Sequence, residues 1–392
     1  YYTEFIWNDC DVDKLEKAVN EVIENQEILR MVINNNGTQT LKKDVPYYKV
    51  KVNCFNENDL ENYRNEISHR TYDIGTWPMF EVSVSNIGNY KHIHFSIDCI
   101  ILDGWSAYMF MEQIFRKYND IDIYKPSIGF GEYIKLEQDY LKTNDYKEKS
   151  FNYWKNHILE MPPAPKIPYK KDMNEVDKPY FKRLQYSLSN ELSEKLEKNI
   201  KKYHYTESAV ICAAYMEALG KWCNEEPFTL NLTLFNRLPV CKDVSDIFGD
   251  FTNTTFISYD RKKNFLSDID NVKEQMIKSV EYRYADGIEI IKEVMKKDSH
   301  KAAYPVVFTS MLRSGSDTDN EVFYPKDMKE VYALSQTPQV SLDHQVYNRD
   351  GKYVFVWDYV SQLYNEEEIK EYFNKYTKFI EKIAEENDWS LI

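Results

Sequence analysis

The segment DCIILDGWS, Asp98 to Ser106, is where a strand gives way to a helix. Upstream, FEVSVSNIGNYKHIHFSID alternates apolar and polar residues around Ile87-Gly88-Asn89, the pattern of a hairpin. Its second arm sets His92, His94, Ser96 and Asp98 on one face and Ile93, Phe95 and Ile97 on the other. After Gly104, the residues Tyr108, Met111, Phe115 and Tyr118 recur at helical spacing. The residues expected to carry acyl-transfer chemistry at such a junction are absent. Two carboxylates, Asp98 and Asp103, stand there with Cys99 and Ser106.

Both sides of this junction mix strands and helices. DVDKLEKAVNEVIENQEILRMVI reads as a helix capped by Asp11, followed by a strand in which Leu29, Met31 and Ile33 alternate. NDLENYRNEISHRTYD reads as a second helix, and two more are expected over 130–142 and 148–160. MPPAPKIP then places Pro162, Pro163, Pro165 and Pro168 where no helix can continue, and the charged residues after it suit an exposed connector. Beyond it, strands are expected at YFKRLQYSL, FTLNLTLFNRL, GDFTNTTFISYD and YPVVFTSML, with helices over 189–203, 206–222, 266–283 and 286–297. A hairpin turning at Asn348–Gly351 and a helix over 365–387 close the chain. The absence of a regular strand–helix–strand alternation predicts an α+β protein of two layered lobes. Residues 1–160 are expected to form the first lobe, with an incomplete start, 161–178 the linker and 179–392 the second lobe.

The chain has 392 residues, and its 50 basic against 64 acidic side chains give a net charge of −14. An acidic surface without a basic stripe argues against nucleic acid as a partner. No run approaches the ~18 apolar residues of a membrane span. The start, YYTEFIWNDCDVDKL, lacks the basic and apolar regions of a signal peptide and lacks Met, as an excised chain would. The six cysteines form no CxxC pair and no zinc-ligand spacing, which fits a cytoplasmic protein with buried thiols.

Taken singly, the candidate residues are ambiguous. His92 and His94 alternate on one strand face, but nothing completes a metal-ligand set. Cys99 near a helix start is either a low-pKa nucleophile or a small space-filling residue beside Ile100 and Ile101. Asp103 before Gly104 suits a helix cap or a partner for an arginine, and Ser106 a hydrogen-bonding residue in the first turn. No phosphate loop or glycine-rich dinucleotide turn is present.

Together the motifs resemble the condensation-domain superfamily of nonribosomal peptide synthetases. The junction takes the frame HHxxxDG with Cys99 in place of the active-site second histidine, and it also fits DxxxxDxxS through Asp98, Asp103 and Ser106. That second pattern is the signature of heterocyclization domains, a branch of the superfamily. NQEILRMVI, MPPAPKIP, LTLFNRLP, FGDFTNT, PVVFTSML and SQTPQVSLDHQ resemble further segments of that branch, in order, from about residue 10 to about 360. Departures are the missing N-terminal motif, Arg313 after Leu312, Ser341 within SQTPQVSLDHQ, and Gly104, Asn253 and Thr254, which look like an ordinary condensation domain.

The resemblance implies two chloramphenicol-acetyltransferase-like lobes in a V-shaped pseudo-dimer with a central tunnel. It implies condensation of an upstream acyl thioester with carrier-bound Cys, Ser or Thr, then cyclodehydration to a thiazoline or oxazoline. By the same resemblance, no cofactor is expected to be bound by the domain itself. Substrates arrive on the phosphopantetheine arms of upstream and downstream peptidyl carrier proteins, beside an adenylation domain, with no membrane partner. Ring closure is implied for Thr309 and Asp343, and strand alternation agrees, since Gln339, Ser341, Asp343 and Gln345 share one polar face. Asp103 would anchor its loop by an ion pair with Arg237, Ser106 would fix that loop, and Asp98 would orient the amine or thiol. A condensation-only relative, a carrier-docking module and a coenzyme A acyltransferase are the rival expectations.

Overall fold

Capped helices and alternating strands become thirteen β-strands and ten α-helices in the computed structural model, which describes residues 1–297, 304–312, 324–325 and 327–392. In chain order these begin with β1 (Tyr2–Ile6), α1 (Val12–Asn25), β2 (Met31–Ile33), β3 (Gln39–Leu41), β4 (Lys51–Cys54) and α2 (Glu57–Ser68). β5 (Phe80–Ile87), β6 (Tyr90–Ile97), α3 (Gly104–Tyr118), α4 (Phe130–Thr143) and α5 (Tyr146–His157) follow. Then come β7 (Phe181–Ser187), α6 (Asn190–Tyr203), α7 (Glu207–Trp222), β8 (Phe228–Phe235), β9 (Thr252–Tyr259), α8 (Phe265–Glu281) and α9 (Gly287–Lys297). β10 (Val306–Ser310), β11 (Lys329–Leu334), β12 (Leu342–Arg349), β13 (Lys352–Val360) and α10 (Glu366–Glu385) complete the described chain. The expected Asp11 cap is present, its side chain accepting from Lys14 N. Leu29 lies in a 3₁₀ turn rather than a strand, so only Met31–Ile33 of that stretch is extended.

The chain divides into two compact units, and the division differs from the expected lobes. One unit comprises Tyr1–Thr143, Phe235–Thr252 and the described part of Asp319–Ser335. Its sheet has the order β11-β1-β6-β5-β4, with β1 antiparallel to both β6 and β11. β11 thus completes the sheet of a unit whose other strands lie more than two hundred residues earlier. Ile93, Phe95 and Ile97 pack with Phe110, Ile114 and Phe115 of α3 and Val19 and Val22 of α1. Tyr63 and Ile67 of α2 cover the other face beside Tyr2.

The second unit holds a sheet of order β7-β13-β12-β10-β8-β9. β12 pairs antiparallel with β13 and parallel with β10, and β10 pairs parallel with β8. One sheet face is apolar and aromatic: Phe308, His344 and Trp357 surround Tyr215 of α7 and Tyr376 of α10, all fully buried. The helix α5, expected in the first lobe, belongs here. Trp154 Nε1 donates to Tyr282 O at 3.1 Å and the Tyr153 ring stacks on Tyr282. The proline-rich segment is not a free connector either. Met161 and Ile167 are buried, Thr229 N donates to Pro163 O, and Lys170 N donates to Leu363 O. Its prolines stop a helix, as read, but their carbonyls still serve as acceptors for unit-two backbone.

No helix among the described residues is long and apolar enough to cross a membrane. The six cysteines are free thiols. Cys10, Cys212 and Cys223 are buried as expected, Cys241 is half-buried, and Cys54 and Cys99 are exposed.

Candidate active site

At the α3 start, Asp103 is the N-cap. Its Oδ1 accepts from Ser106 N at 2.6 Å and its Oδ2 from Phe251 N at 3.1 Å, while its own N–H donates to Gly249 O. The Ser106 hydroxyl uses all its capacity: it donates to Gly249 O at 2.8 Å and accepts from Gly249 N and Arg237 Nη2. Arg237 Nη2 lies 3.6 Å from Asp103 Oδ1, with the Ser106 hydroxyl only 2.8 Å away. The same guanidinium donates to Val244 O and Ile247 O and lies 3.8 Å over the Phe251 ring. Burial lowers the Arg237 pKa and the Asp103 charge opposes that shift. The residues 235–252 are therefore tied to the helix start by one buried polar cluster. Gly249 fits there because a Cβ would meet the Phe130 ring at 2.2 Å.

Asp98 follows β6 and is half-buried. Its Oδ1 accepts from Ile100 N at 3.0 Å, an Asx turn that redirects the chain towards α3. It forms no ion pair among the described residues. Asp103, Ser106 and Arg237 are thus gathered in one cluster, whereas Asp98 stands apart on the turn.

The histidines of β6 lie on a buried face. His92 and His94 are buried between the sheet and α2, around a fully buried Glu4 of β1. His92 Nδ1 lies 2.6 Å from Glu4 Oε1, and Arg64 binds Glu4 through Nε at 2.5 Å and Nη2 at 2.7 Å. Burial raises the Glu4 carboxyl, but the bonds from Arg64 and His92 outweigh it and bring the pKa down to about 2. Burial pushes His94 down to about 4. The pair therefore serves an internal ion-pair network, and among the described residues no His, Cys, Asp and Glu group fits a metal ion.

The second cluster lies on the polar face of the six-stranded sheet. Thr309 Oγ1 of β10 donates to Asp343 Oδ1 of β12 at 3.1 Å, and Thr233 Oγ1 of β8 lies 2.8 Å from Thr309 Oγ1. Gln345 Nε2 donates to Asp343 Oδ2 at 2.7 Å and to Asp358 Oδ2 of β13 at 3.3 Å. Arg183 of β7 holds Asp358 through two hydrogen bonds, at 2.7 and 2.6 Å. The band crosses five adjacent strands. It is buried at Asp343, Gln345 and Asp358 and half-buried at Thr309 and Thr233, so it reaches solvent from the threonine side.

Burial is the main force on Asp343 and pushes its carboxyl up to about 6. Asp358 adds to the rise, while hydrogen bonds from Gln345 and Thr309 and the Arg183 charge oppose it. A buried acid that titrates near neutrality, with a hydroxyl at its open side, suits proton transfer to and from a substrate.

The motif reading had paired Thr309 with Asp343, and strand alternation had put Gln345 on the same face. Thr233, Asp358 and Arg183 were missed. Asp358 carried a usable signal: it is the one acid in YVFVWDYV, an otherwise apolar run, and a buried carboxylate needs a cation. Arg313 lies outside the described residues.

A family model described as Condensation domain matches residues 5–390. Bacitracin synthase 1 of Bacillus licheniformis is 29% identical over 98% of this chain, which spans 8% of that protein. Pyochelin synthetase PchF of Pseudomonas aeruginosa (strain PAO1) is 25% identical over 98% of the chain, which spans 22% of its length. The chain therefore corresponds to a small part of these relatives. Among solved structures, the EpoB NRPS cyclization-docking bidomain from Sorangium cellulosum superposes with a TM-score of 0.90. It is 28% identical, and the match covers 100% of this chain and 81% of that one.

Proposed function

Because the chain belongs to the condensation-domain family, we propose that it is a heterocyclization domain of a nonribosomal peptide synthetase. It acts with an upstream and a downstream carrier protein, each presenting its substrate on a phosphopantetheine thioester, beside an adenylation domain. The observation that carries this reading is the buried Asp343 carboxyl held by Thr309. Similarity to a cyclization domain and to a pyochelin synthetase supports it.

In the first step the amine of carrier-bound Cys, Ser or Thr attacks the upstream thioester. A C–N bond forms, the C–S bond breaks, and the proton lost by nitrogen leaves with the thiol. An amine and a thioester need mainly orientation, which accounts for a junction without histidine. Asp98 orients the amine, and Asp103, Ser106 and Arg237 hold the junction.

Ring closure is harder. The side-chain thiol or hydroxyl adds to the new amide carbonyl, passing its proton to the carbonyl oxygen. Protonated Asp343 then gives its proton to the departing hydroxyl, which leaves as water. The ring nitrogen loses its proton to the Asp343 carboxylate as the C=N bond forms, so the acid is restored. Thr309 orients the carboxyl and the departing oxygen.

The test is intact mass spectrometry of a cysteine-loaded downstream carrier after incubation with this chain and an acyl-loaded upstream carrier. Acyl transfer followed by loss of one water is expected, with water loss abolished in Asp343→Ala while amide formation persists. Amide without water loss in the unmutated chain would make it a condensation-only domain.

A further inference from the structure

Two buried carboxylates face each other across β12 and β13, Asp343 opposite Asp358, and they are served unequally. Asp358 takes two hydrogen bonds from the Arg183 guanidinium. Among the described residues, Asp343 receives only neutral donors, the Thr309 hydroxyl and the Gln345 amide. One amide nitrogen, Gln345 Nε2, touches both acids. Like charges this close resist joint ionisation, and a cation bound to one of them selects which stays an anion. That cation is the Arg183 fork, which sits on Asp358 and not on Asp343.

We propose that Arg183 and Asp358 form a positioning pair for Asp343, acting through Gln345. The pair holds the Asp343 carboxyl against Thr309 and makes Asp343, rather than Asp358, the acid that exchanges a proton with substrate. The catalytic part of this rests on the function proposed above for Asp343. Among the described residues, the titratable neighbours that bear on Asp343 are Asp358 from β13, Arg183 from β7 and Tyr215 from α7. β10 and β8 contribute the neutral hydroxyls of Thr309 and Thr233. Neither Arg183 nor Asp358 needs to touch the substrate.

The pair makes an unusual double prediction, because its two members act on Asp343 with opposite sign. Asp358→Asn removes a negative charge and leaves the cation, so Asp343 ionises more easily. Arg183→Gln leaves the Asp358 charge unneutralised, so Asp343 holds its proton to higher pH. Each change should displace the midpoint by roughly one pH unit or more. Arg183→Lys keeps the charge and should stay near the unmutated value.

The measurement is a carboxyl ¹³C NMR titration of the 392-residue chain labelled at aspartate, with the Asp343 signal assigned by its loss in Asp343→Asn. Circular dichroism establishes that each variant is folded. If Asp358→Asn does not fold, the two Arg183 variants read the same coupling. A lower midpoint in Asp358→Asn and a higher one in Arg183→Gln support the pair. Midpoints that stay in place, or move in the same direction, overturn it, since a purely structural role would not displace them with opposite sign. The titration needs no turnover. Absence of water loss in the carrier assay would therefore refute the role of Asp343 without affecting the test of the pair. Where water loss is observed, its alkaline limb should move with the NMR midpoint in each variant.

Discussion

Replacing Asp343 by Asn should stabilise the protein, and increasingly so as the pH rises. The Asp343 carboxyl titrates at about 6 in the folded chain against 3.8 for a free side chain, chiefly because it is buried. Each unit of that difference corresponds to ~1.36 kcal/mol. Between these two values the unfolded chain has released the proton and the folded chain still binds it. Stability from this group is therefore whole at low pH and is lost as pH rises towards 6, by about 3 kcal/mol in all. Asn carries no such cost. It also keeps the local bonds, since its oxygen can accept from Gln345 and its nitrogen can donate to Thr309. Urea unfolding of both proteins at about pH 4.5 and about pH 7 isolates the effect, because every other titrating group cancels in the difference. Asn should gain about 2 kcal/mol on Asp between those conditions. A difference that does not change with pH would mean that Asp343 is an ordinary acid and would remove the physical basis for its role in proton transfer.

Asp103→Ala should cost about 3–5 kcal/mol, because it strips the carboxylate from a buried Arg237, uncaps α3 and leaves Phe251 N–H without an acceptor. Urea unfolding checks this, and a loss below about 1 kcal/mol would contradict the anchoring role. His94, held down to about 4 by burial, should make the protein lose stability as the pH falls from 6.5 to about 4. The unfolded histidine takes up a proton that the folded one refuses, a loss of about 3 kcal/mol. Thermal melts of His94→Gln across that range should show a flatter profile than the unmutated chain.

Local signals were legible where the decisive contacts are local. The Asp11 and Asp103 caps, the Phe80–Ile97 hairpin and the strand alternation around Asp343 follow from neighbours a few residues apart. β1 was not legible. YTEFI carries Glu4 at its centre, and a charge there reads as exposure until Arg64 and His92 are known to surround it. β11 was missed for a related reason: its partner β1 lies more than three hundred residues earlier, so no local pattern marks the pairing. The unit boundary was misplaced because residues 235–252 are claimed by α3 through Asp103 and Ser106, across more than a hundred residues of intervening chain.

From the sequence alone came most of the helices and strands in their order, the motif that pairs Thr309 with Asp343, and the family that such motifs mark. Tertiary structure decided what those residues can do. Asp343 titrates near neutrality because folding buries it opposite Asp358, while Gln345 of its own strand and Thr309 and Arg183 of other strands limit the rise. Proton affinity is set by desolvation and by charges a few ångströms away. Those distances exist only once β7, β13, β12 and β10 lie side by side.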